Sequence, residues 1–100
     1  MDDAAAVRHN REANRFELER EGRLAIAEYR LHGDTITFTH TYVPPELRGG
    51  GVGSALVRGA LEYVRAQGLK VVPACSFVAK YMREHPETQD LLAAQHSFDF

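Results

Sequence analysis

Val43-Pro44-Pro45-Glu46-Leu47-Arg48-Gly49-Gly50-Gly51-Val52-Gly53-Ser54-Ala55-Leu56 marks the passage from the strands of the front half to the helix of the back half. Pro44 and Pro45 end any strand before them, because proline lacks the N–H that a sheet ladder needs. Gly49, Gly50, Gly51 and Gly53 then strip side chains from the place where a helix begins. Bare amides there can turn toward an anion, aided by roughly half a positive charge from the helix dipole. Glycines also let a ligand come close to the backbone. The first expectation is therefore a site for a phosphate-bearing cofactor.

Downstream, Val52, Leu56, Ala60 and Tyr63 recur at helical spacing, widened by Val57, Leu61 and Val64. This predicts a helix from about Gly51 to Ala66, closed by Gly68 as its C′ residue. Leu69 to Val72 reads as a buried strand, parallel to the strand before the helix because a crossover joins them. Pro73 suits strands that part at that point. Ser76 to Glu84 reads as a second helix, stopped by His85-Pro86. Glu87 to Ala94 is expected to add a helical turn or two.

Upstream, Phe16 and Leu18 alternate with Glu17 and Glu19, the period of a half-buried strand. Glu21-Gly22 and His32-Gly33-Asp34-Thr35 carry turn chemistry. Leu24 to Leu31 and Thr35 to Val43 fill the strands between and after them, and Val7 to Asn10 starts a first one. The front half is thus an antiparallel meander.

The chain has 100 residues, so one domain over residues 7–94 is expected, with loose tails at 1–6 and 95–100. With 26% charged residues and a net charge of −2, nothing marks a nucleic-acid partner or an anionic membrane surface. No run approaches the ~20 apolar residues of a membrane span, and the first residues are too polar for a signal peptide. Cys75 is the one cysteine, which rules out an internal disulfide and suits a reducing compartment. A cytoplasmic protein is expected. No metal is expected, because the histidines lack ligand spacing. Nothing in the pattern sets an oligomeric state.

Three glycine-rich motifs compete for the loop. A P-loop needs Lys then Ser or Thr after its last glycine, whereas Ser54 and Ala55 follow Gly53. The dinucleotide fingerprint would need a glycine where Ser54 stands, and it belongs after a first strand. The third motif is V-x-P-E-x-R-G-x-G-x-G, spelt by Val43, Pro45, Glu46, Arg48, Gly49, Gly51 and Gly53. It closely resembles the acyl-CoA signature of the GNAT superfamily of N-acetyltransferases. The later P-A-C-S-F-V-A-K-Y and H-P-E agree with a compact, single-domain branch, and the resemblance runs from Phe16 to Leu92.

The resemblance implies a minimal α/β (α+β) acyltransferase fold. Its mixed sheet combines the meander with a parallel strand–helix–strand unit, followed by a short C-terminal helix. It implies acetyl-CoA in a cleft between the strands containing Val43 and Val72. Val43, Arg48, Gly49, Gly50, Gly51, Val52, Gly53 and Ser54 would hold the pyrophosphate of coenzyme A. Arg48 would reach a phosphate or else pair with Glu46, and Lys80 and Arg83 are further cationic candidates. Phe16 to Val43 has room only for hairpins, so the two helices usual there are absent, and the last two strands are shrunken or missing. Those parts normally shape the acceptor pocket, so the amine acceptor is not carried over.

Acetyl transfer needs a neutral amine, donors for the oxyanion and a stabilised leaving thiolate. The strand before the signature has no carboxylate, and His40 is its only group that titrates near neutrality. His40 is a base or orienting group, or else a hydrogen-bonded strand histidine. Cys75 is a nucleophile activated by His40, or a small residue packed on the pantetheine arm. Tyr81 protonates the departing thiolate, as the resemblance implies, or is a core tyrosine. The leading expectation is acetyl-CoA-dependent N-acetylation of an amine. The alternative is a CoA-binding or peptide-binding module without turnover.

Overall fold

The structure is a computed structural model that describes residues 6–93. Apart from Ala6, the expected tails lie outside the described residues. Five strands form one sheet in the order of the chain: β1 (Arg8–Asn10), β2 (Arg15–Arg20), β3 (Arg23–His32), β4 (Thr35–Tyr42) and β5 (Lys70–Pro73). The first four run antiparallel, and β5 joins β4 in parallel. Helix α1 (Val52–Ala66) makes the crossover, and α2 (Ser76–Glu84) follows β5. This is the mixed α+β architecture expected.

The turns follow their chemistry. Glu21 and Gly22 both have positive φ, 55° and 75°, as a two-residue type I′ hairpin requires. Arg20 and Arg23 pair directly across that turn. Helix α1 ends in a Schellman motif. Gly68 sits at φ 69°, the Leu69 N–H reaches the Val64 carbonyl at 3.0 Å, and the Gly68 N–H reaches that of Arg65 at 3.2 Å.

The apolar stripe of α1 covers one face of the sheet. Leu56, Val57, Ala60 and Val64 are buried there against Phe16, Leu18, Ala25, Ala27, Ile36 and Phe38, and Val78 and Met82 of α2 complete the core. The opposite face carries Leu24, Ile26, Glu28 and Thr37, which are half-buried, and the exposed His40 and Tyr42. Glu17 points to that outer side yet is buried, because Arg8 (3.1 Å), Asn10 (2.9 Å) and Arg15 (2.7 Å) close over its carboxylate. Strand β1 is also seated by His9, which stacks on Phe16 at 4.3 Å and meets the Tyr29 hydroxyl at 2.6 Å.

The helical turn or two expected after α2 is a 3₁₀ helix (Pro86–Leu91), and Ala94 of that expected segment lies outside the described residues. The 3₁₀ helix is tied to α1 by a two-pronged Arg65–Asp90 pair at 2.9 Å. The chain then runs beside β5 at Leu92 as a single parallel bridge to Val71. One detail departs from expectation, because β4 is bulged: Tyr29 faces Phe38, but Glu28 faces His40, so Thr39 is an extra residue. A bulge of one residue reverses the faces of everything after it. This bulge sets the geometry of the site below. No helix among the described residues is long and apolar enough to cross a membrane.

Candidate functional site

The signature loop folds as its sequence dictates. Pro45–Leu47 forms a 3₁₀ turn, with Leu47 buried as its anchor. Gly49 and Gly51 take φ of 86° and 80°, a region where a Cβ would be strained. Gly51 is the N-cap of α1, and no side chain caps the helix or places an acid in its first turn. The first helical bond runs from the Ala55 N–H to the Gly51 carbonyl at 3.0 Å. The N–H groups of Val52, Gly53 and Ser54 therefore have no acceptor inside the helix.

These amides border a cavity of about 420 Å³. Its lining includes Val43, Arg48, Gly49, Gly51, Val52, Gly53 and Ser54 from the expected set, together with Thr41, Leu47 and Phe77. Gly50 faces a neighbouring hollow instead. The cavity differs from expectation in one wall: Phe77 of α2 stands where a residue of the strand bearing Val72 was expected. Phe77 lies so close to α1 that a Cβ on Gly53 would sit 2.5 Å from its Cζ. Gly53 thus leaves the room in which the Phe77 ring packs against α1.

Arg48 works within the loop. Its Nε donates to the Val43 carbonyl at 2.9 Å, and its guanidinium stands 6.0 Å above the Tyr42 ring. Glu46 pairs with Arg23 at 3.2 Å rather than with Arg48. That contact and a backbone hydrogen bond, the larger influence, hold the Glu46 carboxyl below its ordinary pKa. Lys80 pairs with Glu84 at 3.9 Å, and neither Lys80 nor Arg83 lines the cavity.

At the inner end, β4 outruns β5. Their pairing stops at Phe38 and Pro73, and the Cys75 N–H then bonds to the Phe38 carbonyl at 2.9 Å. Cys75 is the N-cap of α2 and is buried, 9% exposed. Its sulfur lies 3.2 Å from the Thr41 hydroxyl. Thr41 lines the cavity and Cys75 does not, so the thiol stands one hydrogen bond behind the wall.

The expected pairing of His40 with Cys75 is not formed. After the bulge, Thr41 faces Ala27, which is fully buried, while His40 faces Glu28 on the exposed side of the sheet. Tyr81 is also apart from Cys75. Six residues advance a helix by roughly 600°, which leaves the two side chains about 120° apart around α2. Tyr81 lines the neighbouring hollow with Gly50, Arg58 and His85. Burial, the largest influence, pushes its hydroxyl pKa up, with Arg58 opposing. Sequence reasoning missed Thr41 and Phe77. The bulge that selects Thr41 has no local signature, whereas a phenylalanine just inside the helix after Cys75 was a visible signal.

A family model described as GCN5-related N-acetyl-transferase matches residues 15–91. Protein NATD1 of Xenopus tropicalis is 31% identical over 96 residues, covering 91% of this chain and 88% of that protein. Protein NATD1 of Homo sapiens is 33% identical over 88 residues, covering 85% and 78%. The solution structure of a GCN5-like protein from Staphylococcus aureus superposes with a TM-score of 0.70 at 28% identity, covering 96% of this chain and 94% of that one.

Proposed function

The chain belongs to the GCN5-related N-acetyltransferase family, and from that membership we propose that it binds acetyl-coenzyme A in the loop cavity and transfers the acetyl group to an amine. The observation that carries this reading is the first turn of α1. The Val52, Gly53 and Ser54 amides have neither a helical acceptor nor a side-chain cap, and all three residues border the cavity. A diphosphate supplies the acceptors they lack. Charge-assisted bonds of this kind contribute about 1.5–3 kcal/mol each, and the dipole adds up to ~2 kcal/mol. Arg48, held at the rim by the Val43 carbonyl, adds a fixed positive charge.

From that seat the pantetheine arm extends past Phe77 toward Thr41 and Cys75. There the Cys75 sulfur attacks the thioester carbonyl. The new S–C bond forms as the bond to the coenzyme sulfur breaks, and the thiol proton ends on the departing sulfur. A neutral amine then attacks the acetyl-cysteine, gives its proton back to the Cys75 sulfur and leaves acetylated. Thr41 is the group placed to exchange a hydrogen bond with that sulfur through both steps.

A second reading, a coenzyme-binding module without turnover, is favoured by one observation. Cys75 is nearly buried, and His40 and Tyr81 both stand away from it. Intact-mass measurement after mixing with acetyl-coenzyme A separates the two readings. Transfer predicts one added acetyl group on Cys75 that an amine removes. Coenzyme binding with neither adduct nor acetylated amine supports the module.

A further inference from the structure

Only a neutral amine has the lone pair to attack an acetyl-cysteine, and it must give up one proton as it does so. The groups around the acetyl-bearing sulfur therefore decide which amines react. The Thr41 hydroxyl lies 3.2 Å from the Cys75 sulfur. A hydroxyl exchanges hydrogen bonds, but it does not strip a proton from an ammonium near neutral pH. The side chains that could do so stand elsewhere. His40 faces Glu28 on the exposed side of the sheet, and His85 lines the neighbouring hollow with Tyr81. Glu46, the carboxylate of the loop, is paired with Arg23 at 3.2 Å. The described residues that line the cavity are apolar or glycine, save the Thr41 and Ser54 hydroxyls and the Arg48 guanidinium.

Thr41 is the part of the cavity wall in front of the sulfur, so the amine enters by the space that the departing coenzyme vacates. That entrance then presents Arg48 and the first amides of α1, both positive. An alkyl ammonium is repelled there. An aromatic amine arrives neutral, and Val43, Leu47 and the 38% exposed Phe77 give its ring an apolar wall. We propose, resting on the Cys75 transfer reading above, that the acceptor is an aromatic amine, already neutral near neutral pH, and that Phe77 selects it. The nitrogen lone pair forms the N–C bond to the acetyl carbonyl. The C–S bond to Cys75 breaks with its electron pair on sulfur, and the proton shed by nitrogen joins that sulfur as the thiol. The step uses no further base.

Discharge of the acetylated chain tests this. The chain is loaded with acetyl-coenzyme A and freed of coenzyme, and loss of the Cys75 adduct is followed by intact mass with para-methoxyaniline, with butylamine and with buffer alone. An alkyl amine, with an ordinary pKa of about 10.4, is neutral to only about one part in a thousand near neutral pH. The butylamine rate should therefore rise about tenfold per pH unit from about pH 6.5 to 8.5, whereas the aromatic rate stays level. At neutral pH the aromatic amine should discharge the adduct about tenfold faster or more at equal concentration. Phe77→Leu should narrow the ratio of the two rates by about three- to tenfold, the scale of one ring–ring contact. Should that variant fail to fold, the two native profiles still decide. A level butylamine profile, a butylamine rate equal to or above the aromatic one at neutral pH, or a ratio unchanged in folded Phe77→Leu overturns the proposal and leaves the transfer reading standing. A native chain that takes up no acetyl group overturns both.

Discussion

The Thr41 hydroxyl lies 3.2 Å from the Cys75 sulfur, and the bulge at Thr39 in β4 is what puts it there. Without the extra residue, His40 would occupy the side that Thr41 now takes. The hydroxyl can donate to a sulfur that gains negative charge or accept from a neutral thiol. Thr41→Val keeps the shape and removes this exchange. It is expected to slow acetyl accumulation on Cys75 by about tenfold, the loss of one charge-assisted hydrogen bond. Coenzyme affinity should stay near native, and Thr41→Ser should recover most of the rate. Time-resolved intact-mass measurement with acetyl-coenzyme A reads the effect. Equal rates in all three chains would remove Thr41 from the chemistry.

Gly53 and Phe77 form the second test. A methyl at position 53 would meet Phe77 Cζ at 2.5 Å. Phe77 is 38% exposed, so its ring can swing aside instead of unfolding the helix pair. Alanine gains roughly 0.5–1 kcal/mol of helix propensity over glycine, and the displaced ring loses about 1 kcal/mol or more of packing. Gly53→Ala should therefore change stability by less than about 1–2 kcal/mol. Its coenzyme affinity should fall, because the ring moves within the cavity it lines. Phe77→Ala combined with Gly53→Ala should restore affinity. Denaturation and calorimetry on the four chains of the cycle check this.

Acid should weaken the fold in two stages. Burial, then the neighbouring Arg11 charge, holds the His9 pKa below its ordinary 6.5. The unfolded chain then takes up that proton first, so stability falls as pH drops below 6.5. Hydrogen bonds from Asn10 and Arg15, in that order, hold Glu17 below its ordinary 4.5. Its contribution is present above 4.5 and is lost as pH falls through the lowered folded value. Glu17→Gln should cost about 1–2 kcal/mol at neutral pH and much less in strong acid. His9→Phe should flatten the upper stage. Urea denaturation as a function of pH measures both.

Much of this architecture is legible in the sequence because it is written in local periodicity and turn chemistry. Glu21-Gly22, Gly33-Asp34 and Gly68 mark turns, and the stripe from Val52 to Val64 marks α1. The glycine loop is legible for the same reason: consecutive residues carry its conformation and its amides. The inner end of the site is not. Strict alternation puts His40 on the side of Phe38, and the extra residue at Thr39 moves it to the other face. Tyr81 is misplaced by a similar cause. Helical spacing sets it against α1 beside Arg58 rather than beside Cys75. Local patterns carry the glycine loop, whereas register and helix rotation, which depend on the whole sheet, decide what stands next to the sulfur.

Coenzyme A affinity, compared between Gly51→Ala and Gly51→Glu, shows whether the α1 amides hold the diphosphate. Both substitutions strain the same backbone at φ 80°, so their difference isolates a carboxylate placed at the mouth of the α1 amides. The native chain should bind measurably, Gly51→Ala should lose modestly, and a folded Gly51→Glu should lose about a hundredfold or more. A folded Gly51→Glu chain that binds coenzyme A as tightly as Gly51→Ala would contradict that seat for the diphosphate.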